Sequence, residues 1–190
     1  MATLHNITQI DISQLGKEKI FAIDTNALYW IHYSQISSPH LAIDARQLND
    51  YPNFVEDLLN NGNKLITTCL NVTELVSIVE NTQLRIYNKS SGIKLKKKDY
   101  RAIQSERQKY QREVSTILGQ LKGAYGNQLE VVPITQQDIE EYAKKIGFNK
   151  CDIFDFIIIE FLKGRGITNF ISDDGDFHSI DGIDLYTSNI

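Results

Sequence analysis

Short apolar runs alternate along this chain with stretches whose apolar residues recur every three or four positions. Residues 19–24 (KIFAID) form an apolar run that ends in an acid, and ALYWIHY after it has helical spacing at Leu28 and Ile31. A helix is predicted over Ala45–Asn60, stopped by Asn61-Gly62, and a strand over Lys64–Thr68 (KLITT). Asn71 opens the next helix, through Val72, Leu75, Val76 and Val79. Residues 128–132 (QLEVV) read as a strand closed by Pro133, and Thr135 with Asp138 caps a helix running to Gly147. An apolar helix over 152–163 stops at Gly164 and Gly166, a strand follows at 167–172, and 183–187 reads as a last, peripheral strand. Strands alternating with helices predict an α/β fold, a Rossmann-like three-layer sandwich around a mostly parallel sheet of about five strands. No G-x-G-x-x-G follows a strand and no G-x-x-x-x-G-K-[ST] occurs, which excludes the usual dinucleotide and nucleoside-triphosphate cradles.

One segment breaks the rhythm. Tyr100, Ile103, Arg107, Tyr110, Val114, Ile117 and Leu121 follow three-four spacing, which predicts one long helix with a single stripe. Together with the Asn71 helix, and with Ser90-Ser91-Gly92 as the turn, it reads as a helical arm projecting from the sheet body. The organisation predicted is one domain, 1–190, with an arm insertion at about 80–123. The stripe suits core packing against the neighbouring helix or the seam of a homodimer.

Charge changes this picture. The net charge of −4 conceals 11 Lys and Arg against three acids between Arg85 and Lys122, a stretch of +8 beside a remainder of −12. A basic module on an acidic body suits an enzyme that handles a polyanion; a solvated charged helix is the plainer account. Lys94, Lys96, Lys97, Lys98 and Arg101 are the candidate phosphate contacts. With 42% hydrophobic residues and three prolines the chain has the material for one compact core. It has no run of about 20 apolar residues. Its first residues, MATLHNITQI, have neither a basic start nor an apolar signal core, so a soluble, cytoplasmic protein off the membrane is expected. Cys69 and Cys151 stand alone, without the spacing of a disulfide framework or a zinc site.

The acids fall where a parallel sheet collects ligands, at the carboxyl ends of its strands. Asp24 closes the first predicted strand, and Glu74 lies in the helix after the second. Asp152 and Asp155 open the helix before the fourth, and Asp173, Asp174 and Asp176 follow that strand. Converging carboxylates repel one another unless protons or cations compensate, and an oxygen-only ligand set without His or Cys selects Mg²⁺ or Mn²⁺. Each acid also has a structural reading. Asn71-Val-Thr-Glu74 has capping-box spacing, Asp24 and Asp152 suit N-caps, and Asp176 and Asp181 suit turns. Asp155 is the hardest to explain structurally, because its helix is apolar almost all round; a salt bridge to a Lys is the rival to a metal there.

FAIDTNAL (21–28), TTCLNVTELVSIV (67–79), DIFDFIIIEFLKGRGI (152–167) and FISDDGDF (170–177), in this order, resemble the PIN-domain nucleases, the family that includes VapC-type toxins. The resemblance implies that Asp24, Glu74, Asp155 and Asp174 are the catalytic and metal-holding acids, with Asp152 as an extra ligand. Asn26 would orient Asp24 or a metal-bound water, Ser172 would stand in the small-hydroxyl position, and Asp173 competes with Asp174 for the last place. It further implies hydrolysis of RNA with one or two Mg²⁺ or Mn²⁺ ions, leaving 5′-phosphate and 3′-hydroxyl ends, and a protein antitoxin as partner. The basic arm departs from compact members of that family. A PIN module that binds RNA or protein without cutting, and a structure-specific DNA nuclease, are the alternatives.

Overall fold

The computed structural model describes residues 1–41, 44–147 and 149–189. Among them, six strands form one all-parallel sheet in the order β1-β6-β5-β2-β3-β4. The strands are β1 (Thr3–Asn6), β2 (Ile20–Ile23), β3 (Lys64–Thr68), β4 (Leu129–Val132), β5 (Asn169–Ile171) and β6 (Asp184–Thr187). The helices are α1 (Thr25–His32), α2 (Ala45–Asn60), α3 (Cys69–Ser91), α4 (Lys97–Arg101), α5 (Gln104–Gly123), α6 (Gln136–Ala143) and α7 (Ile153–Gly164). The fold is α/β with helices on both faces of the sheet.

Alternation along the central strands builds two cores. Phe21, Ile23, Leu65, Ile171 and Tyr186 point to one face, where Leu28, Leu58, Leu75, Val79 and Ile117 of α1, α2, α3 and α5 meet them. Ala22, Ile66, Phe170 and Leu185 point to the other, against Phe156, Ile158, Ile159 and Leu162 of α7. Each buried Leu, Ile or Phe contributes roughly 1.5–3 kcal/mol, so these faces hold the strand ends in fixed register.

Five expectations change. The sheet has six strands because Thr3–Asn6, too short and polar to show a period, pairs with β6. The strand at Asp184–Thr187 is therefore not peripheral, lying between β1 and β5. The long helix expected from Tyr100 is broken: α4 ends at Arg101, and α5 starts at Gln104 after an extended Ile103 (φ −80°, ψ 106°). Positions 101 and 107 of one continuous helix would face about 120° apart. The break instead brings Arg101 and Arg107 onto the same carboxylate, Glu80 of α3. Nor does the arm stand clear of the body. Ile117, Leu121 and Tyr125 lie in the same core as Phe21, and Glu113 accepts from the backbone N–H of Ser34 at 2.9 Å and from its hydroxyl at 2.7 Å. The stripe is thus core at its C-terminal half. The helix after Thr135 ends at Ala143, earlier than expected, with its Thr135–Asp138 capping box formed.

Candidate functional site

From β2 the chain winds outward through β3 and β4, then returns to place β5 and β6 on the other side. The winding direction reverses between β2 and β5, and in such sheets the crevice at the carboxyl ends of those two strands is where ligands bind. Asp24 directly follows β2, and Ser172 and Asp174 follow β5.

Asp24 occupies the N-cap position of α1, but its side chain makes no capping hydrogen bond. Only 8% exposed, it accepts instead from the Ser172 hydroxyl at 2.8 Å and from Asn71 Nδ2 at 3.4 Å. Ser172 Oγ also accepts from the Asp174 backbone N–H at 3.1 Å, so one buried hydroxyl joins the ends of β2 and β5. Burial pushes Asp24 up to about 6 against these hydrogen bonds, and the charges of Glu74 and Asp174 add to the rise.

Glu74 is positioned by a neighbour. The capping box of α3 is made by Thr68 and Asn71, one turn before the place its sequence spacing suggested, so the helix starts at Cys69 and Glu74 has no capping duty. Asn71 also donates to Thr25 Oγ1 at 3.2 Å, and that hydroxyl donates to Glu74 Oε2 at 2.7 Å. A chain of hydrogen bonds thus runs from Asp24 through Asn71 and Thr25 to Glu74.

Asp152 is the N-cap of α7, its Oδ1 accepting from the Phe154 and Asp155 backbone N–H groups at 2.8 and 3.0 Å. Asp155, one turn on, is half-buried. Among the described residues no donor serves its carboxylate and no Lys pairs with it, which removes the salt-bridge account. Burial, then the charges of Asp24, Asp152, Glu74 and Asp174, push it up to about 8. Each of those four acids bears on Asp155, so the topology brings the five to one neighbourhood. Among the described residues no group of three or more His, Cys, Asp or Glu side chains is placed to hold a metal ion. The donor set is nevertheless the chemistry a hard divalent cation requires, all carboxylate oxygen with a surplus of negative charge.

Asp173 and Asp174 separate clearly. Asp173 turns to α2, accepting from the Tyr51 hydroxyl at 2.8 Å and from Gln47 Nε2. Asp174 faces the acids while its Oδ1 caps the short helix Gly175–Ser179 through the Asp176 N–H at 2.8 Å. No hydrogen bond joins Asn26 to Asp24 among the described residues. Asn71 reaches Asp24, and Asn26 lines a hollow with Tyr29, Trp30 and Arg85.

The basic candidates split as well. Arg101 binds Glu80 through Nε at 2.8 Å and Nη2 at 2.6 Å, Arg107 Nη1 reaches it at 2.8 Å, and Lys97 Nζ at 3.1 Å. Lys97 and Arg101 are thereby committed to holding the arm, while Lys94, Lys96 and Lys98 are exposed. Cys69 and Cys151 are free thiols. Sequence reasoning missed Asn71, Thr25 and Glu80. Thr68-x-x-Asn71 was a legible capping signal, whereas nothing local pairs Glu80 with residues 17 to 27 positions away.

No known protein-family profile matches the chain, and no curated protein matches it. Among solved structures it is similar to VapBC2 from Rickettsia felis bound to a DNA fragment from their promoter, with 16% identity, a TM-score of 0.45, and coverage of 88% of this chain and 98% of that one. What this chain does therefore rests on its own residues. No helix among the described residues is long and apolar enough to cross a membrane.

Proposed function

We propose that the chain is a Mg²⁺- or Mn²⁺-dependent endoribonuclease of the PIN type, acting at the crevice between β2 and β5. The observation that carries this reading is Asp155, a half-buried carboxylate without a donor and pushed up to about 8 by burial and four neighbouring acids. A purely structural site would have supplied a cation or hydrogen bonds, because uncompensated like charge costs stability.

Asp24, Glu74, Asp152, Asp155 and Asp174 would hold the metal. When bound there it would polarise a phosphodiester, lower the pKa of an attacking water and stabilise the leaving oxygen. Ser172 and Asn71 fix the two oxygens of Asp24, and Thr25 fixes Glu74, so three neutral donors orient two acids without cancelling their charge. Asp152 holds the first turn of α7 and with it Asp155. Burial and the four neighbouring acids favour the protonated form of Asp155, and a cation held there would favour its carboxylate instead. The toxin reading, with an antitoxin covering the acids, follows from the sequence resemblance and joins the proposal as its cellular setting.

The test is incubation of labelled single-stranded RNA and DNA with the protein and Mn²⁺, with EDTA, and with Asp24→Asn. The reading expects RNA to be cut only by the wild type with metal. Cleavage of DNA alone points to a DNA nuclease. Binding of RNA without cleavage of either polymer under any metal condition defeats the enzyme reading.

A further inference from the structure

Arg85, which Glu80 does not engage, lies on a different face of α3 from that carboxylate. Glu74, Ile78, Asn81, Arg85 and Asn88 follow four-three-four-three spacing, one stripe along that helix. The stripe starts in the carboxylate site and runs to the basic loop after Gly92, about 27 Å at the rise of an α-helix. Two adjoining hollows of about 390 and 470 Å³, sharing Asn81 and Arg85, lie along it. The first is walled by Trp30 and Tyr29 of α1 and begins at Asn26, two residues past Asp24. The second ends at Ile93 and Lys94.

Its parts are fixed in place. The Tyr29 hydroxyl donates to Thr82 Oγ1 at 3.1 Å and its ring meets Trp30 edge-on, which orients the aromatic wall. Asn88 grips the backbone of Leu95 in both directions, Nδ2 to the carbonyl and Oδ1 from the N–H, each at 3.0 Å, so the loop carrying Lys94 is held at the far end. Among the described residues no carboxylate pairs with Arg85 or Lys94, in contrast to Lys97, Arg101 and Arg107. An aromatic wall beside evenly spaced amides and unpaired cations suits an extended strand of bases and phosphates, with stacking on the ring and phosphates at the cations.

We propose that this trough between α1 and α3 seats a single-stranded RNA segment leading away from the carboxylates, with a base against Trp30 and phosphates at Arg85 and Lys94. The proposal rests on the nuclease reading for where the strand leads, and its test is independent of cleavage. Trp30 is the only tryptophan in the chain, so its emission reports directly on the trough.

A short mixed-sequence single-stranded RNA, and DNA of the same sequence, are titrated into the full chain in EDTA at low salt, following both Trp30 emission and the anisotropy of a labelled strand. The expected result is saturable quenching that coincides with binding. The exposed Arg85→Glu variant should weaken binding by about tenfold and reduce its salt dependence. Arg112→Glu, the same charge change on the outer face of α5, should shift it less than about twofold. The proposal is overturned if wild-type protein binds neither strand, if binding leaves Trp30 emission unchanged, or if the Arg85 and Arg112 variants behave alike. No RNA binding points instead to a protein occupant, and preferential DNA binding assigns the trough to DNA. Cleavage with an unaltered Arg85→Glu titration fails the trough and spares the nuclease; loss of binding in that variant without any wild-type cleavage does the reverse.

Discussion

Glu80 and Asp155 are both carboxylates that the core has drawn out of water, and they titrate in opposite directions. Glu80 is held down at about 2 by Arg101 and Lys97, which supply hydrogen bonds and countercharge in excess of burial. Asp155 is pushed up to about 8 by burial first, and then by the like charges of Asp24, Asp152, Glu74 and Asp174. The first arrangement ties α3 to α4 and α5 and gains by it. The second loses stability where it stands, and such a loss is the kind that clusters at functional sites. The contrast also divides the positive charge of the arm into cations engaged by Glu80 and cations open to a polyanion.

The largest expected effect is on activity. Asp155→Asn should lower RNA cleavage on the order of 100-fold or more, while raising the Tm of metal-free protein at pH 8, because it removes a repelled charge. Single-turnover cleavage and thermal melting in EDTA check the two halves. A drop in both would mean that Asp155 is a structural group like Glu80, and the contrast would collapse.

Glu80→Gln should invert that pattern. It should cost about 1–3 kcal/mol, roughly 2–10 °C in Tm, with faster amide exchange across residues 97–107 and a cleavage rate per folded molecule changed less than about threefold. Its pH dependence has a definite sign. The folded-state value lies below the ordinary 4.5, so Glu80 contributes stability above that pH and loses it as pH falls through about 2.

Asp155 and Asp24 have the opposite linkage. Their folded-state values, about 8 and about 6, lie above the ordinary 3.8, so the folded chain retains protons that the unfolded chain has released. Metal-free protein should therefore lose stability as pH rises from about 4 through 8. Mn²⁺ should restore it most strongly at the alkaline end. Melting curves in EDTA and in Mn²⁺ across that range test this, and a metal-free Tm that climbs steadily with pH would contradict it.

The smallest effect sharpens the picture within the acid site. Ser172→Ala removes a hydrogen bond that lowers Asp24, so the Asp24 carboxyl should titrate above its present value near 6. Carboxyl carbon chemical shifts would read that change directly, and an unmoved titration would deny Ser172 its orienting role.

Much of the architecture was legible from local pattern. Ala45–Asn60 and Lys64–Thr68 fall where periodicity, Asn61-Gly62 and strand composition placed them, because helix faces and strand alternation are short-range consequences of side-chain chemistry. Edge strand β1 was not, since Leu4 is its lone apolar residue and its partner β6 lies some 180 positions away. Asp155 and Asp24 could be singled out as charges misplaced in apolar surroundings, whereas Glu74 and Asp174 depended more on the family resemblance. Their spacing along the chain carries no record of the sheet order that brings Asp24, Glu74, Asp152, Asp155 and Asp174 together.

The sequence by itself determined most of the helices and strands other than β1 and the α4–α5 break, and which residues are apolar enough to be core. Only the tertiary structure turned Asp173 to Tyr51, brought the Asn71 amide to Asp24, and set Lys97 and Arg101 on Glu80. Those decisions depend on the direction in which a side chain leaves the backbone and on what lies across the fold within hydrogen-bond reach. Both follow from packing of the whole chain, which no local window contains.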